Sequence, residues 1–417
     1  MDYIQEHKDG CLRCNLCIDV CPQYDDFSIV DDLYDYLSGA SSLPKGDIRK
    51  CFTCNVCTVS CPENLGSRKL ISLAREKNTT ESGPSEVQGL ADPFAKNNMY
   101  IKIGEMKAPL LFKNEMKKAD VLYFPGCAAT CMNQVIGRAT IAVLEASGVD
   151  YSVLSGVEYC CGSVANGSGN TEPLLKIGPK NLNAIEEIGA KLVITTCPGC
   201  YRAFKNIYPE VFGELPFETL QTSEYFFKLI EESKLNFDSD ALKEYFSLDE
   251  IKVYYQDPCH LTRAVGIYDT PRKALSAIPN VSLVNPSPEG SICCGFGGGV
   301  RTNFPSISLK QSANVHEIAK SKGADAIITN CGGCMKNIIE GKTDESGSEI
   351  PGSLKVFDFA EFLTIALGSK PVERDDYLLL TLSNRALLEC LDCYKYDRYG
   401  FYKEKPKEEM KEEMKED

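Results

Sequence analysis

Twenty-one of the 417 residues are cysteine, and their spacing constrains this chain more than any other feature. Eight fall between Cys11 and Cys61, first as Cys11-x2-Cys14-x2-Cys17-x3-Cys21-Pro22 and then as Cys51-x2-Cys54-x2-Cys57-x3-Cys61-Pro62. Six lie from Cys127 to Cys200, five from Cys259 to Cys334, and two at Cys390 and Cys393. The N-terminus, Met1-Asp2-Tyr3-Ile4-Gln5-Glu6, lacks the basic and then apolar pattern of an export signal, so a cytoplasmic location is expected. Thiols stay reduced there, and an odd total argues against a pure disulfide framework. Metal ligation is the expected use.

The first eight cysteines write the C-x2-C-x2-C-x3-C-P run of iron–sulfur proteins twice, in which the fourth cysteine of each run serves the other cluster. Cys11, Cys14, Cys17 and Cys61 are therefore expected on one cubane [4Fe–4S] cluster, and Cys51, Cys54, Cys57 and Cys21 on a second. Zinc sites use other spacings. Residues 1–76 read as a helical two-cluster ferredoxin module. Residues 77–118, polar from Lys77-Asn78-Thr79-Thr80 onward, read as a connector.

From about residue 119 the chain repeats itself. Cys127 matches Cys259 after Pro125 and Pro258, Cys160-Cys161-Gly162 matches Cys293-Cys294-Gly295, and Cys197-Pro198-Gly199-Cys200 matches Cys331-Gly332-Gly333-Cys334. Within each copy, apolar runs alternate with helical spacing. Strands are expected at 121–124, 151–154 and 192–196, then at 252–256, 281–284 and 326–329. Helices are expected over 132–147, 174–189 and 308–323. The fold class is thus α+β multidomain: the ferredoxin module, two pseudo-symmetric α/β domains at 119–235 and 250–368, and a C-terminal extension at 369–417 with a frayed charged tail. Each cysteine motif should sit where a parallel strand ends, the usual place for α/β sites.

Each copy offers five cysteines: Cys127, Cys160, Cys161, Cys197 and Cys200, then Cys259, Cys293, Cys294, Cys331 and Cys334. Five exceed what a cubane or a tetrahedral zinc needs. An open or distorted cluster fits better, although four ligands plus a spare thiol stays open for each copy. Cys131 aligns with Arg263 and so has no counterpart. Gly126, Gly162, Gly199, Gly295, Gly332 and Gly333 are expected to bring backbone N–H groups near cluster sulfurs. The run Gly295-Phe296-Gly297-Gly298-Gly299-Val300 fails the dinucleotide pattern at its last position. A net charge of −14 argues against a nucleic-acid binder.

The two C-x32-C-C-x35-C-x2-C-type motifs resemble the cysteine-rich CCG domain. Two such domains behind a ferredoxin module resemble the D-type catalytic subunits of methanogen heterodisulfide reductases. The resemblance covers nearly the whole chain, and the glycine run after Cys294 is similar to that of the same group. It implies two noncubane [4Fe–4S] clusters, reduction of the mixed disulfide of coenzyme M and coenzyme B between them, and electrons relayed through the two cubanes. It also implies an electron-donating partner, either a membrane cytochrome b or a flavoprotein, so the chain could dock on the cytoplasmic membrane face. The architecture is shared with iron–sulfur subunits of glycerol-3-phosphate and glycolate dehydrogenases, so a pure electron-transfer role is the alternative, and a metal-stabilised scaffold a third. An anionic substrate needs local cations: Arg263, Arg301 and Lys336 are candidates, with Arg138 and Arg202 beside them. His260, next to Cys259, is a candidate proton donor. His7 and His316 are read as surface residues.

Overall fold

The computed structural model describes residues 3–23, 31–44, 46–84, 116–154, 159–342 and 352–369. The expected C-terminal extension, including Cys390 and Cys393, lies outside the described residues beyond Ser369. So does most of the connector.

The ferredoxin module is built from helices Tyr3–Gly10, Asp31–Leu37 and Ser67–Ser82, with short turns Leu16–Asp19 and Val56–Val59 following the cysteine runs. The runs fold alike: Asn15 and Asn55 each open their turn at φ 64°, a left-handed backbone that Asn tolerates better than most residues. Leu33, Tyr34, Tyr36, Leu70, Ile71 and Ala74 form the core. The last helix runs past the boundary expected at residue 76. Its polar stretch is a solvated helix face, held by a Lys77–Glu81 pair at 2.8 Å, and not the start of a linker.

Each copy of the repeat is a four-stranded, wholly parallel sheet. The first contains β1 (Val121–Tyr123), β2 (Tyr151–Val153), β3 (Leu192–Thr195) and β4 (Glu218–Gln221) in the order β2-β1-β3-β4. The second contains β5 (Ile251–Tyr255), β6 (Val281–Leu283), β7 (Ala326–Thr329) and β8 (Lys355–Asp358) in the equivalent order β6-β5-β7-β8. The duplication is thus structural as well as sequential, down to matching capping boxes, Gln221 with Glu224 and Asp358 with Glu361.

Strand alternation divides the side chains between two cores. Tyr123, Ile194, Val253, Tyr255 and Ile328 point into one core shared by both copies, whereas Leu122 and Val193, or Tyr254 and Ile327, face each copy's own outer helices. In the shared core, helix Gln134–Ala146 of the first copy packs on Phe359–Ala366 of the second, and Thr222–Glu231 packs on Asp269–Ser276. The helix after a first strand meets the helix after a fourth, both ways round, as a twofold arrangement requires.

Candidate metal centres and the seam between them

The cysteine motifs all follow strand ends. Cys127 and Cys259 come after β1 and β5, the adjacent pairs after β2 and β6, and Cys197 and Cys331 cap the helices after β3 and β7. None of the eighteen described cysteines is in a disulfide. Cys131 lies in the turn Ala128–Met132, and its side chain is outside the described residues.

Within each copy the five sulfurs form one chain of side-chain contacts, buried except at Cys197 in the first copy and at Cys259 and Cys331 in the second. In the first copy Cys127 meets Cys160, Cys160 meets Cys161, Cys161 meets Cys200, and Cys200 meets Cys197. The second repeats the order: Cys259, Cys293, Cys294, Cys334 and Cys331, with Cys294 Sγ 3.1 Å from Cys334 Sγ. Proton affinity alternates up and down through Cys160, Cys161, Cys200 and Cys197, and through Cys293, Cys294 and Cys334. The hydrogen bond from Cys160, and then that from Cys200, pulls Cys161 down to about 6, while Cys200 is pushed up by the neighbours it serves, Cys161 first. Cys294 likewise falls, through Cys293 and then Cys334. Thiolates so favoured are the form in which cysteine binds metal.

In the ferredoxin module Cys17 lies in electrostatic contact with Cys11, Cys14 and Cys61, and Cys57 with Cys51, Cys54 and Cys21. Cys21 is in electrostatic contact with Cys51 and Cys54 and also with Cys17. Cys11, Cys14, Cys17 and Cys61 also line one cavity, with Leu12, Leu16 and Pro62. Among the described residues no three His, Cys, Asp or Glu side chains converge as ligands of a single ion. The sulfurs instead group in fours and fives, a donor set that fits iron–sulfur clusters.

Some of the expected N–H contacts are present. Gly162 and Gly295 donate to Cys160 Sγ and Cys293 Sγ, each at 3.4 Å. Gly126, at φ +67°, has no room for a Cβ, which would stand 2.6 Å from Cys200 Sγ. Gly332 and Gly333 serve packing instead, against Ala128 of the other copy and the Phe296 ring.

The ferredoxin module sits on both copies. Its Cys54 is in side-chain contact with Cys293, which, ahead of burial and Arg263, sets its pKa at about 6. Gly297 and Gly298 pack on the backbone of Phe52 and Cys51; a Cβ on Gly297 would lie 2.6 Å from Phe52 O. Toward the first copy, Arg75 donates to Gly167 O at 3.1 Å while also holding Ile48 O and Cys51 O, and Gly169 at φ +96° allows the Arg75 backbone to approach.

Several expected roles change. Arg301 and Lys336 are not open cations: both are buried on Glu340, at 2.9 and 2.6 Å. Arg263 is a staple, donating to Cys54 O at 2.8 Å and Ser291 O at 3.2 Å. Only its Nη2 is left buried without a partner among the described residues. His260 is pushed down to about 3, by burial first and then by Arg202 and Arg68, so it is neutral and not a charged proton donor. His7 and His316 are buried, not surface residues: His7 Nδ1 meets Tyr34 Oη at 2.5 Å and His316 Nε2 meets Ile338 O at 2.8 Å. Arg138 lies on helix Gln134–Ala146.

Other residues carry no motif of their own. Asn181 donates to Cys160 O at 2.7 Å and Gln311 to Cys293 O at 2.9 Å, amides on the equivalent helices Glu172–Ile188 and Pro305–Ser321 that anchor the adjacent cysteine pairs from positions about one turn apart. Asn133 donates to Gly332 O at 2.7 Å, tying the first copy to the second copy's cysteine turn.

The chain matches the family described as "Cysteine-rich domain" over residues 121–205 and 253–339, and that described as "4Fe-4S dicluster domain" over 10–66. It is 30% identical to the D subunit of the dihydromethanophenazine:CoB–CoM heterodisulfide reductase of Methanosarcina mazei, across 86% of this chain and 94% of that protein. It is 27% identical to the B subunit of the fumarate reductase (CoM/CoB) of Methanothermobacter marburgensis, across 86% of this chain and 72% of that one. A crystal structure of a hypothetical protein from Helicobacter pylori shares the fold at a TM-score of 0.52 and 13% identity, over 79% of this chain and 63% of its own. Among the described residues no helix is long and apolar enough to cross a membrane.

Proposed function

This chain belongs to the family of the heterodisulfide reductase D subunits, and on that premise we propose that it reduces the mixed disulfide of coenzyme M and coenzyme B to the two thiols. It is an iron–sulfur subunit of a disulfide reductase that works with partner subunits. The finer reading assigns Cys11, Cys14, Cys17 and Cys61 to one cubane cluster and Cys21, Cys51, Cys54 and Cys57 to the other. The five cysteines of each copy would hold a noncubane [4Fe–4S] cluster. When bound, these groups supply the two single electrons that cleavage of an S–S bond consumes, with two protons taken up by the product thiols.

The chain's own residues set the conditions. The two copies, packed on each other through one shared core, each carry a matching run of five contacting cysteine sulfurs, and that duplication carries the proposal. The Cys54–Cys293 contact supports entry of electrons through the second copy. The external donor is a separate partner protein, a membrane cytochrome b or a flavoprotein, met on the cytoplasmic side.

The test is viologen-linked reduction of the heterodisulfide by the cluster-reconstituted chain. Cys161→Ser and Cys294→Ser should each abolish turnover while the ferredoxin cubanes remain reducible. Full activity in both variants overturns the scheme, and an inactive wild-type chain favours an electron-transfer role serving a dehydrogenase.

A further inference from the structure

We propose that the face around Leu12, Cys14 and Leu16 is the docking surface for the electron-donating protein, which grips the first cysteine run as the second copy grips the second run. The proposal deepens the disulfide-reductase reading and rests on it for the direction of electron flow.

The two runs of the ferredoxin module are one motif at an offset of 40 residues (51 − 11), and their backbones match. Arg13 and Thr53 stand at φ 55° and 53°, Asn15 and Asn55 both at 64°. Their surroundings differ. The second run is covered: Phe52 is 2% exposed, packed with Val300, Phe304 and Ile307, and Cys54 is buried. Arg263 donates to Cys54 O at 2.8 Å, and Asn55 Nδ2 donates to Arg263 O at 2.6 Å. Gly297 and Gly298 lay bare backbone on the carbonyls of Phe52 and Cys51.

The first run presents the same parts to solvent. Leu12, at the position of Phe52, is 61% exposed, and Asn15 is exposed with no capping bond from its side chain. Cys14 is the one exposed cysteine among the eighteen described. Leu16 and Val20 extend the apolar face, and a cavity lined by Leu12, Leu16 and Pro62 opens onto Cys11, Cys14, Cys17 and Cys61. Exposed apolar side chains grouped in this way mark a protein contact. Asp19 and Glu63 are exposed beside them, while Arg13 is paired with Asp31 at 3.1 Å, so the face favours a cationic partner. The partner that fits is therefore a redox protein with an apolar pocket for Leu12, a glycine-bare loop over Cys11 and Leu12, and a guanidinium for the Cys14 carbonyl. Its own redox centre would stand behind that loop, as Cys293 stands behind the loop that covers Cys54.

The test compares hydrogen exchange in the intact subunit complex with exchange in this chain alone. Amides of residues 11–20 should be protected in the complex. Leu12→Glu and Val20→Glu should each weaken binding of the purified donor subunit on the order of tenfold to a hundredfold, as expected when an apolar side chain no longer enters its pocket. Iron content and reduction of the cubanes by viologen, read in the same samples, report whether the module is intact; Val20 lies outside the cavity and serves if Leu12→Glu loses iron. Unprotected amides at 11–20 with protection at the exposed Leu175 or Val211 of the first copy overturn the surface, as does full donor affinity in both variants. Protection of 11–20 by self-association of the chain, without the donor, overturns it as well. A complex that protects 11–20 and passes electrons into the cubanes yet reduces no heterodisulfide keeps the docking surface and sinks the reductase reading instead.

Discussion

Gly298 is where the glycine run meets the cube-ligand loop, and Gly298→Ala tests whether that contact holds the ferredoxin module in place. Two costs add. The residue sits at φ +67°, where a side chain loses ~1–2 kcal/mol relative to glycine. The new Cβ would also press on the Cys51 carbonyl, forcing Cys51 and Phe52 to retreat, an overpacking penalty of ~1–3 kcal/mol. The total of about 2–5 kcal/mol exceeds what a surface turn would lose. Gly266→Ala is the internal control: its φ is +82° but nothing stands within 4 Å, so only the backbone cost of ~1–2 kcal/mol applies. Chemical denaturation gives the stabilities, and the rate at which viologen-reduced cubanes pass electrons onward gives the docking. Gly298→Ala should lose both stability and transfer, Gly266→Ala stability alone. If the two variants behave alike on both measures, the glycine run is not a docking seam.

Glu340→Gln should destabilise the second copy by ~3–5 kcal/mol in denaturant titration, because Arg301 and Lys336 stay buried without their counter-charge; an unshifted midpoint refutes the triad. Burial raises the Glu340 pKa, but Lys336 and Arg301 outweigh it and hold the group below the carboxylate range. Its contribution is therefore complete above an ordinary glutamate pKa of ~4.3 and lost as pH falls through the lowered value, so the gap between wild type and variant should close in acid. Arg75→Met removes donors to Ile48, Cys51 and Gly167 carbonyls and should cost ~1–3 kcal/mol while raising protease sensitivity between the module and the first copy; unchanged cleavage counts against it. Asn181→Leu and Gln311→Leu should each cost ~1–3 kcal/mol by leaving the carbonyls of Cys160 and Cys293 unpaired, seen as lower iron content after reconstitution; full iron content would discount the anchors.

Strand runs such as Val121–Tyr123 and Ala326–Thr329, and the repeat that relates them, are legible because a buried parallel strand needs a short apolar run and each strand end carries a cysteine. The swapped grouping of Cys17 with Cys61, and of Cys57 with Cys21, is the expectation that spacing alone gives. Charge is not. Arg301 reads as an open cation because its partner Glu340 lies 39 residues on, although the Lys336–Glu340 spacing of one helical turn gives a hint. His7 reads as a surface residue because Tyr34, which covers it, is 27 residues away.

The ferredoxin module brings a cysteine sulfur against the second copy but reaches the first through Arg75. Twins in fold are therefore not twins in their contacts with the module. On the proposed route of electrons one lies upstream and its sibling downstream, and drift in their sequences should follow that inequality: whatever tunes the nearer copy to accept charge has no reason to be preserved in the farther one.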